Sequence, residues 1–306
     1  MKSPRANLRR LTTERTNRSS RNLDLKSATE IARIINAEDS KVARAVRRAL
    51  PQIARGIEGI ADSLRRGGRL IYVGAGTSGR IAALDAAECP PTFTRNQPVV
   101  QFIMAGGVRA LGAATEANED SPALGQEEMA KKNPGTNDVV VGVAASGRTP
   151  FTIAAVEYAR RKGAKTIAVT CNRNSPLQEA AELAIVADVG PEVVSGSTRM
   201  KAGTAQKMIL NMLSTGAMVR LGFVYGNLMV NVLPKNEKLE ARAAVILERA
   251  APMNRPEARR ALKAAGNSVP IALIMEKARV GRGQAQRALQ LARGNVRRAI
   301  EAAKKT

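Results

Sequence analysis

Residues 69–80, Arg69-Leu-Ile-Tyr-Val-Gly-Ala-Gly-Thr-Ser-Gly-Arg80, decide the fold of this 306-residue chain. A short apolar run passes into small residues, and a helical pattern then begins. The same succession recurs in Asp138-Val-Val-Val-Gly-Val-Ala-Ala-Ser-Gly-Arg-Thr-Pro150. Short, continuous apolar runs are typical of strands buried on both faces of a parallel sheet. Because the N–H groups that open a helix attract anions, both loops predict an anion site.

The glycines of the first loop match the spacing of a dinucleotide-binding fingerprint, since Gly74, Gly76 and Gly79 read G-x-G-x-x-G. That fingerprint also requires an acidic residue about 20 positions further on, at the end of the second strand. The second apolar run ends instead in Ala105-Gly-Gly107, and the G-x-x-x-x-G-K-[ST] pattern of a P-loop does not occur. We therefore expect no nicotinamide cofactor and no P-loop nucleotide site.

Hydroxyl and guanidinium groups in the two loops indicate a phosphate monoester as the anion, because both groups donate to phosphate oxygens. For either loop taken alone, an ordinary strand-to-helix turn with an N-capping hydroxyl is the alternative interpretation. Two such loops in one chain favour the phosphate site. The candidate donors are Thr77, Ser78, Arg80, Ser146, Arg148 and Thr149.

Predicted strands and helices alternate through the middle of the chain. This alternation predicts an α/β fold with a doubly wound parallel sheet that is covered by helices on both faces. In such sheets ligands bind outside the carboxyl ends of the strands, which is where both loops lie. The predicted strands are Arg69–Val73, Val99–Met104, Asp138–Val143, Lys165–Thr170 and Leu183–Ala187.

Helical patterns surround this region and suggest four parts. We expect an N-terminal arm and helices over residues 1–58, a sheet domain over 59–222, a connecting helix over 223–253 and a three-helix unit over 254–306, with breaks at Gly266-Asn267 and Gly281–Gly283. The predicted helices before the first strand are Ser27–Asn36, Ser40–Leu50 and Gln52–Arg66. Lys201–Leu221 closes the sheet domain, and Glu237–Ala250 follows it.

The composition excludes several kinds of catalysis. Because the chain has no histidine, it can have neither a Ser-His-Asp triad nor a histidine base, and most zinc sites are excluded. Cys89 and Cys171 are far apart and lack metal-ligand spacing, so we expect reduced thiols and no metal. No apolar run approaches 18 residues and the N-terminus has no apolar segment of a secretory signal, so we expect a cytoplasmic protein with no membrane partner. Carboxylates would then have to transfer protons in any reaction.

The net charge of +23 is concentrated at the two ends of the chain. Residues 1–22 hold seven Lys and Arg against one Glu, and residues 253–306 hold thirteen against three. Aromatic residues make up 2% of the chain and there is no tryptophan, so stacking platforms for single-stranded nucleic acid are scarce. The helices near residues 27–66 also lack a helix-turn-helix signal. We expect a generally basic proteome or a solvated basic face rather than a nucleic-acid partner.

Three long motifs stand out in the chain. They are Gly74-Ala-Gly-Thr-Ser-Gly-Arg80 with Leu84-Asp-Ala-Ala-Glu-Cys-Pro-Pro-Thr92, Ala144-Ala-Ser-Gly-Arg-Thr-Pro150, and Gly196-Ser-Thr-Arg-Met-Lys-Ala-Gly-Thr-Ala-Gln-Lys207. These motifs resemble those of the N-acetylmuramic acid 6-phosphate etherases, and the resemblance extends from Leu11-Thr-Thr-Glu-Arg15 to Asn236-Glu-Lys-Leu239, over most of the chain. It implies a sugar-isomerase (SIS) fold with a five-stranded parallel sheet, and a homodimer, because SIS proteins usually complete their sites from two subunits.

The resemblance implies lyase chemistry that uses no cofactor. Such enzymes cleave the lactyl ether at C3 of N-acetylmuramate 6-phosphate by elimination and hydration, giving N-acetylglucosamine 6-phosphate and D-lactate. The family's acid and base correspond to Glu88, expected just after the helix behind the first loop, and Glu119, expected after the helix that follows the second strand. Glu88 would protonate the leaving lactate, and Glu119 would take the C2 proton. Asp85, Glu116 and Asp120 are close rivals by sequence alone.

The resemblance also assigns binding residues for a phosphosugar substrate. The turn that carries Ser197 and Lys201 is a candidate contact for the lactyl carboxylate, although an N-capped helix with solvated cations explains it equally well. A non-catalytic sugar-phosphate-sensing regulator of the same fold, related to the regulatory protein of glucokinase, is the alternative function; it would need the loops but no paired carboxylates. The residues expected to hold the 6-phosphate are Thr77, Ser78, Ser146, Gly147, Arg148 and Thr149.

Overall fold

The computed structural model describes residues 11–93, 99–112, 118–232 and 237–305. Its centre is a five-stranded, all-parallel sheet in the order β2-β1-β3-β4-β5, as the alternation of apolar runs predicted. Each predicted strand is confirmed to within one residue at either end. The strands are β1 (Leu70–Gly74), β2 (Val100–Met104), β3 (Val139–Val143), β4 (Lys165–Thr170) and β5 (Leu183–Val186).

The segment before the sheet begins with three short 3-10 turns, Thr12–Glu14, Arg18–Ser20 and Leu23–Leu25. Ser27 then starts the first helix with a capping box, in which its hydroxyl accepts from the backbone of Glu30 and the Glu30 carboxylate accepts from the backbone of Ser27. The helices of this segment are α1 (Ala28–Asp39), α2 (Val42–Arg48) and α3 (Leu50–Arg65).

Helices cover the sheet as its buried strands require. Val140 of β3 and Ala168 of β4 are fully buried and belong to one apolar cluster with Phe151 and with the small residues Ala155 and Ala159 of the helix after β3. Small side chains let that helix lie close to the strands. The helices that follow β1 are α4 (Gly76–Thr92), α5 (Pro122–Lys131), α6 (Pro150–Arg161), α7 (Pro176–Ala180) and α8 (Lys201–Leu221).

The remaining helices correct one prediction. Four helices, not three, follow residue 254, because the chain breaks a third time at Arg293-Gly294, where both residues have positive φ and Asn295 caps the next helix. The breaks near Gly266 and Gly281 are confirmed. An apolar cluster that includes Leu247, Leu273 and Val296 holds these helices together. They are α9 (Glu237–Ala250), α10 (Arg255–Ala264), α11 (Val269–Ala278), α12 (Arg282–Leu291) and α13 (Val296–Ala303).

The chain divides into two compact units. The first takes in the described residues of 1–87 and 99–214 and contains the sheet, and the second takes in those of 88–98 and 215–306. The four-part division expected from the sequence stays a prediction. Within the described ranges, no helix is both long and apolar enough to cross a membrane.

Candidate active site

The first loop is a tight passage from β1 into α4. An ideal Cβ on Gly74 would lie 3.0 Å from the backbone nitrogen of Gly79, and one on Gly79 would lie 2.8 Å from Cγ of Met104. Both positions therefore need glycine for close packing of strand and helix. Gly76, the first residue of α4, has φ +52°. The first turn of α4, which carries Thr77 and Ser78, therefore begins directly at the carboxyl edge of the sheet, as the sequence predicted.

The second loop turns just after β3. Gly147 has φ +68°, and a Cβ there would lie 2.2 Å from Oγ of Ser175. The backbone N–H of Arg148 donates to Oγ of Ser146 at 3.2 Å. Thr149 is the N-cap of α6, but its side chain makes no capping hydrogen bond. The half-buried residues 146, 148 and 149 thus gather at the N-terminus of a helix, where its dipole favours an anion.

Glu119 links the two loops. Its Oε1 lies 3.1 Å from the position that a Cβ on Gly76 would occupy, so the carboxylate lies beside the first loop. Its backbone carbonyl accepts a hydrogen bond from the N–H of Phe151, in the first turn of α6, at 3.1 Å. The predicted base therefore lies at the carboxyl edge of the sheet. Its place in the chain differs from the prediction, because the described element after β2 is a 3-10 turn, Gly107–Leu111, and Glu119 comes shortly before α5.

Ser78 is tied to α8 by a residue that the sequence did not single out. Its hydroxyl donates to Oε1 of Gln206 at 3.0 Å, and both side chains are buried. One turn earlier on α8, a Cβ on Gly203 would be 3.5 Å from Cγ2 of Thr77. Gln206 lies within the long third motif, but nothing in that motif distinguishes it from neighbouring helix residues. Its role depends on a contact between segments 128 positions apart.

The turn before α8 differs from an open anion site. The Glu192 carboxylate accepts from the backbone N–H groups of Lys201, at 3.1 Å, and Ala202, at 2.9 Å, and so caps the helix. The Lys201 side chain is 1% exposed, and its ammonium pairs with Glu38 at 2.6 Å. Ser197, half-buried, donates its backbone N–H to Val194. The helix N-terminus and the lysine charge are therefore both occupied by carboxylates of this chain.

Burial and hydrogen bonding shift the pKa values of Glu38 and Glu192 in opposite directions. Burial opposes ionisation of Glu38, but hydrogen bonds from Lys201, Lys41 and Asn17 outweigh it and lower its pKa to about 2. Burial raises the pKa of Glu192, and the hydrogen bonds from the start of α8 offset this only in part.

The structure separates the carboxylates that the sequence left as rivals. Asp85 is buried and accepts hydrogen bonds from the Tyr72 hydroxyl at 2.8 Å, from Nδ2 of Asn211 at 2.6 Å and from Oγ of Ser214 at 3.2 Å. Three donors to one buried carboxylate give it a structural role that fixes α4 to β1 and α8. Asp120 is exposed, and Glu116 lies outside the described residues.

Glu88 lies inside the last turns of α4, not just after that helix as predicted. Its side chain is exposed, and its backbone carbonyl accepts from Oγ1 of Thr92 at 3.1 Å. It belongs to the second compact unit, whereas Glu119 belongs to the first.

The arrangement of acidic side chains and cysteines bears on metal and thiol chemistry in the part of the chain that is described. No three or more His, Cys, Asp or Glu side chains there come together as a metal would require. Cys89 and Cys171 are buried and are not joined in a disulfide, and burial raises the pKa of Cys171 to about 12. A thiol held protonated in this way is a poor nucleophile.

Known proteins are similar in sequence to this chain over most of its length. The chain is 48% identical to the N-acetylmuramic acid 6-phosphate etherase of Clostridium beijerinckii over 96% of this chain and 97% of that protein. It is 54% identical to the enzyme of the same name from Symbiobacterium thermophilum, over 87% and 89% of the two chains. The chain belongs to the N-acetylmuramic acid 6-phosphate etherase family. Two family profiles also match, the glucokinase regulatory protein N-terminal SIS domain over residues 52–160 and the SIS domain over residues 121–216.

In this etherase-family chain the N-terminal Leu11–Arg15 motif supports the second loop. The Asn172 side-chain amide donates to the hydroxyl of Thr13 and to the carbonyl of Ala145, both at 3.1 Å, and its oxygen accepts from the backbone of Thr12 at 2.8 Å. Ala145 directly precedes Ser146. Sequence reasoning found the motif but not this purpose, because its partner lies some 160 positions away.

Proposed function

We propose that the protein cleaves the lactyl ether of N-acetylmuramate 6-phosphate, giving N-acetylglucosamine 6-phosphate and D-lactate. Membership of the etherase family supports the choice of substrate. The observation that carries the chemistry is the position of Glu119, whose carboxylate lies beside the first loop while its backbone holds the start of α6. A regulator that only binds a sugar phosphate has no use for a carboxylate at that point.

The 6-phosphate is assigned to the two loops. In the second loop Ser146, Gly147, Arg148 and Thr149 offer hydroxyl, backbone and guanidinium donors at the N-terminus of α6, and in the first loop Thr77 and Ser78 begin α4. Helix N-termini and charge-assisted hydrogen bonds both favour a dianionic ester.

The reaction is assigned to two carboxylates acting on the open-chain sugar. Glu119 removes the C2 proton, which the C1 aldehyde acidifies, and the C3–O bond breaks as Glu88 protonates the departing lactate oxygen. The product of elimination is an unsaturated aldehyde. Water then adds its hydroxyl at C3, and a proton returns to C2. The steps are proton transfers, an elimination and an addition of water, and none of them transfers a hydride, so neither a metal nor a nicotinamide cofactor is assigned.

Isotope exchange tests these roles. N-acetylglucosamine 6-phosphate incubated in heavy water with the enzyme should exchange its C2 hydrogen wherever the base is intact. Glu88→Gln should lose ether cleavage but keep exchange. Glu119→Gln should lose both, because an amide cannot accept the proton, and each loss should reach about 10²–10⁴-fold.

Asp120→Asn is the matched control, because it changes an exposed neighbour of Glu119 in the same way and should keep both activities. Exchange at the wild-type rate in Glu119→Gln, together with its loss in Glu88→Gln, would show that the roles are reversed. Normal cleavage in both variants would rule out this assignment.

A sugar-phosphate-sensing regulator is the second candidate function, because the glucokinase regulatory protein profile matches residues 52–160. Lactate release distinguishes the two. An etherase should release lactate from N-acetylmuramate 6-phosphate and not from the unphosphorylated sugar. Binding of the phosphorylated sugar without any release of lactate would favour the regulator.

Four further assignments accompany this proposal: the cellular location, the assembly, and the contacts of Ser197 and Lys201. The protein is proposed to be cytoplasmic and a homodimer, and sedimentation of the purified chain tests the assembly. Ser197 is proposed to donate to the lactyl carboxylate. Lys201 was predicted to bind the same carboxylate, but its ammonium is bound to Glu38. Its proposed role is therefore to hold the turn that carries Ser197 in place.

A further inference from the structure

Gln206 is a buried polar side chain that the proposed function leaves unused. It lies on α8, is 1% exposed, and accepts through Oε1 from the Ser78 hydroxyl at 3.0 Å. Its Nε2 has no hydrogen-bond partner among the residues that the structure describes. An unpaired donor buried in this way is costly and therefore uncommon in native proteins.

The same face of α8 meets the start of α4. A Cβ on Gly203, one turn before Gln206, would lie 3.5 Å from both Cγ2 of Thr77 and Cδ1 of Ile81. Gly203 thus allows α8 to approach the first turn of α4, and Gln206 contacts Ser78 of that turn from α8. Its amide is therefore in direct contact with a residue proposed to bind phosphate.

The direction of the hydrogen bond conflicts with that binding. A serine hydroxyl has a single proton, and in this structure Ser78 donates it to Gln206. An ionised phosphate offers only acceptors, so Ser78 in this arrangement has nothing to donate to it. A half-turn of the Gln206 amide exchanges Oε1 and Nε2. Nε2 then donates to the serine oxygen, and the serine proton becomes free for the phosphate.

We propose that Gln206 is a positioning residue that sets the direction of the Ser78 hydroxyl and turns its amide when a phosphate monoester binds. After this turn Nε2 has a hydrogen-bond partner and Oε1 is the unpaired atom. Proteins tolerate an unpaired buried carbonyl better than an unpaired buried N–H group. The proposal rests on the proposed function, since it requires phosphate at Ser78. It assigns to α8 a share in recognising the phosphate without contact between Gln206 and the substrate.

Inhibition by inorganic phosphate, together with kcat and KM for N-acetylmuramate 6-phosphate, tests this with the full-length chain. Ser78→Ala should weaken phosphate inhibition by about 10- to 100-fold, the loss of one charge-assisted hydrogen bond. Gln206→Glu should weaken phosphate inhibition as much. A carboxylate can only accept a hydrogen bond, so the Ser78 hydroxyl would go on donating its proton to residue 206 and not to the phosphate. The loss should raise KM and leave kcat within about threefold. Thr204→Glu, which adds the same charge on the exposed face of α8, is the control and should match the parent protein.

Gln206→Met provides a second variant in case the buried carboxylate prevents folding. It should weaken phosphate inhibition by about three- to tenfold, and combining it with Ser78→Ala should add nothing to the loss in Ser78→Ala alone. A double variant in which the two fold-losses multiply would overturn the proposal. Unchanged inhibition in both Gln206 variants, with a loss in Ser78→Ala, would overturn it and leave the phosphate placement intact. Unchanged inhibition in Ser78→Ala would overturn the placement at Ser78, and this proposal with it.

Discussion

Single glycines decide how closely the backbone of each loop approaches its surroundings. Gly147 combines a positive φ with contact on both sides, since a Cβ would lie 2.2 Å from Oγ of Ser175 and 2.8 Å from Oγ1 of Thr170. Leu177 also donates its backbone N–H to the Gly147 carbonyl at 3.0 Å. The second loop is thus held against the end of β4 and the start of α7, and this contact fixes where residues 146–149 can meet an anion.

Gly147→Ala should lower the free energy of unfolding by about 3 kcal/mol or more, since strain at positive φ and a steric overlap add together. Phosphate inhibition should weaken in the same variant. Gly190→Ala is the matched control, because Gly190 has a similar φ of +72° and open space around its Cα. It should lose only about 1 kcal/mol. Equal losses in chemical denaturation of the two variants would show that contact with Ser175 is unimportant.

The N-terminus of α8 shows how a whole element is fixed by buried charge. Glu192 accepts from its first two N–H groups, and the Lys201 ammonium binds Glu38 at the end of α1. Glu38 also binds Lys41 at 2.5 Å. A capping carboxylate stabilises the helix dipole, and the ion pair ties α8 to the N-terminal helices. Since α8 also carries Gln206, this attachment places the helix correctly behind the first loop.

Lys201→Met should therefore destabilise the protein by about 3–5 kcal/mol, because it leaves the buried Glu38 carboxylate without its buried partner and only the exposed Lys41 remains. Lys26→Met removes the exposed pair with Glu30 at 3.4 Å and should cost less than about 0.5 kcal/mol. Urea denaturation followed by circular dichroism measures both. A loss in Lys201→Met no larger than in Lys26→Met would contradict the role given to the buried pair.

The stability of the whole molecule should depend on pH through a few buried carboxylates. Hydrogen bonds from lysines lower the pKa of Glu38 to about 2 against the burial that opposes its charge. Hydrogen bonds from Arg69 and from the backbone likewise lower the pKa of Asp138, which bridges the starts of β1 and β3. Such groups stabilise the fold above their unfolded pKa, and the contribution is lost as the pH falls through the folded pKa. Glu192, whose pKa is raised, acts in the opposite sense and favours the fold at lower pH.

The free energy of unfolding should accordingly fall between about pH 4.5 and pH 2, with Glu38 contributing about 3 kcal/mol of the change. Glu38→Gln should be less stable than the parent protein at pH 7, and the difference should shrink as the pH falls towards 2. Denaturant unfolding at a series of pH values measures this. A difference that stays constant across that range would show that ionisation of Glu38 does not stabilise the fold.

The sequence by itself determined the parallel sheet, the ends of its strands and the two loops at their carboxyl edge. These features follow from local patterns: apolar runs of strand length, glycines where the chain turns, and hydroxyls at helix starts. The sequence also carried the etherase motifs, and with them the family. The break at Arg293-Gly294 was missed because one glycine in an amphipathic pattern is a weak local signal.

Only the tertiary structure decided which polar residues meet. Asp85 and Glu119 both looked like acid or base candidates, yet three donors from distant segments bind Asp85, while Glu119 reaches the first loop. Lys201 looked like an anion contact and pairs with Glu38, which lies 163 positions earlier. The physical reason is that burial makes a polar group depend on its partner, and the fold brings those partners from far along the chain.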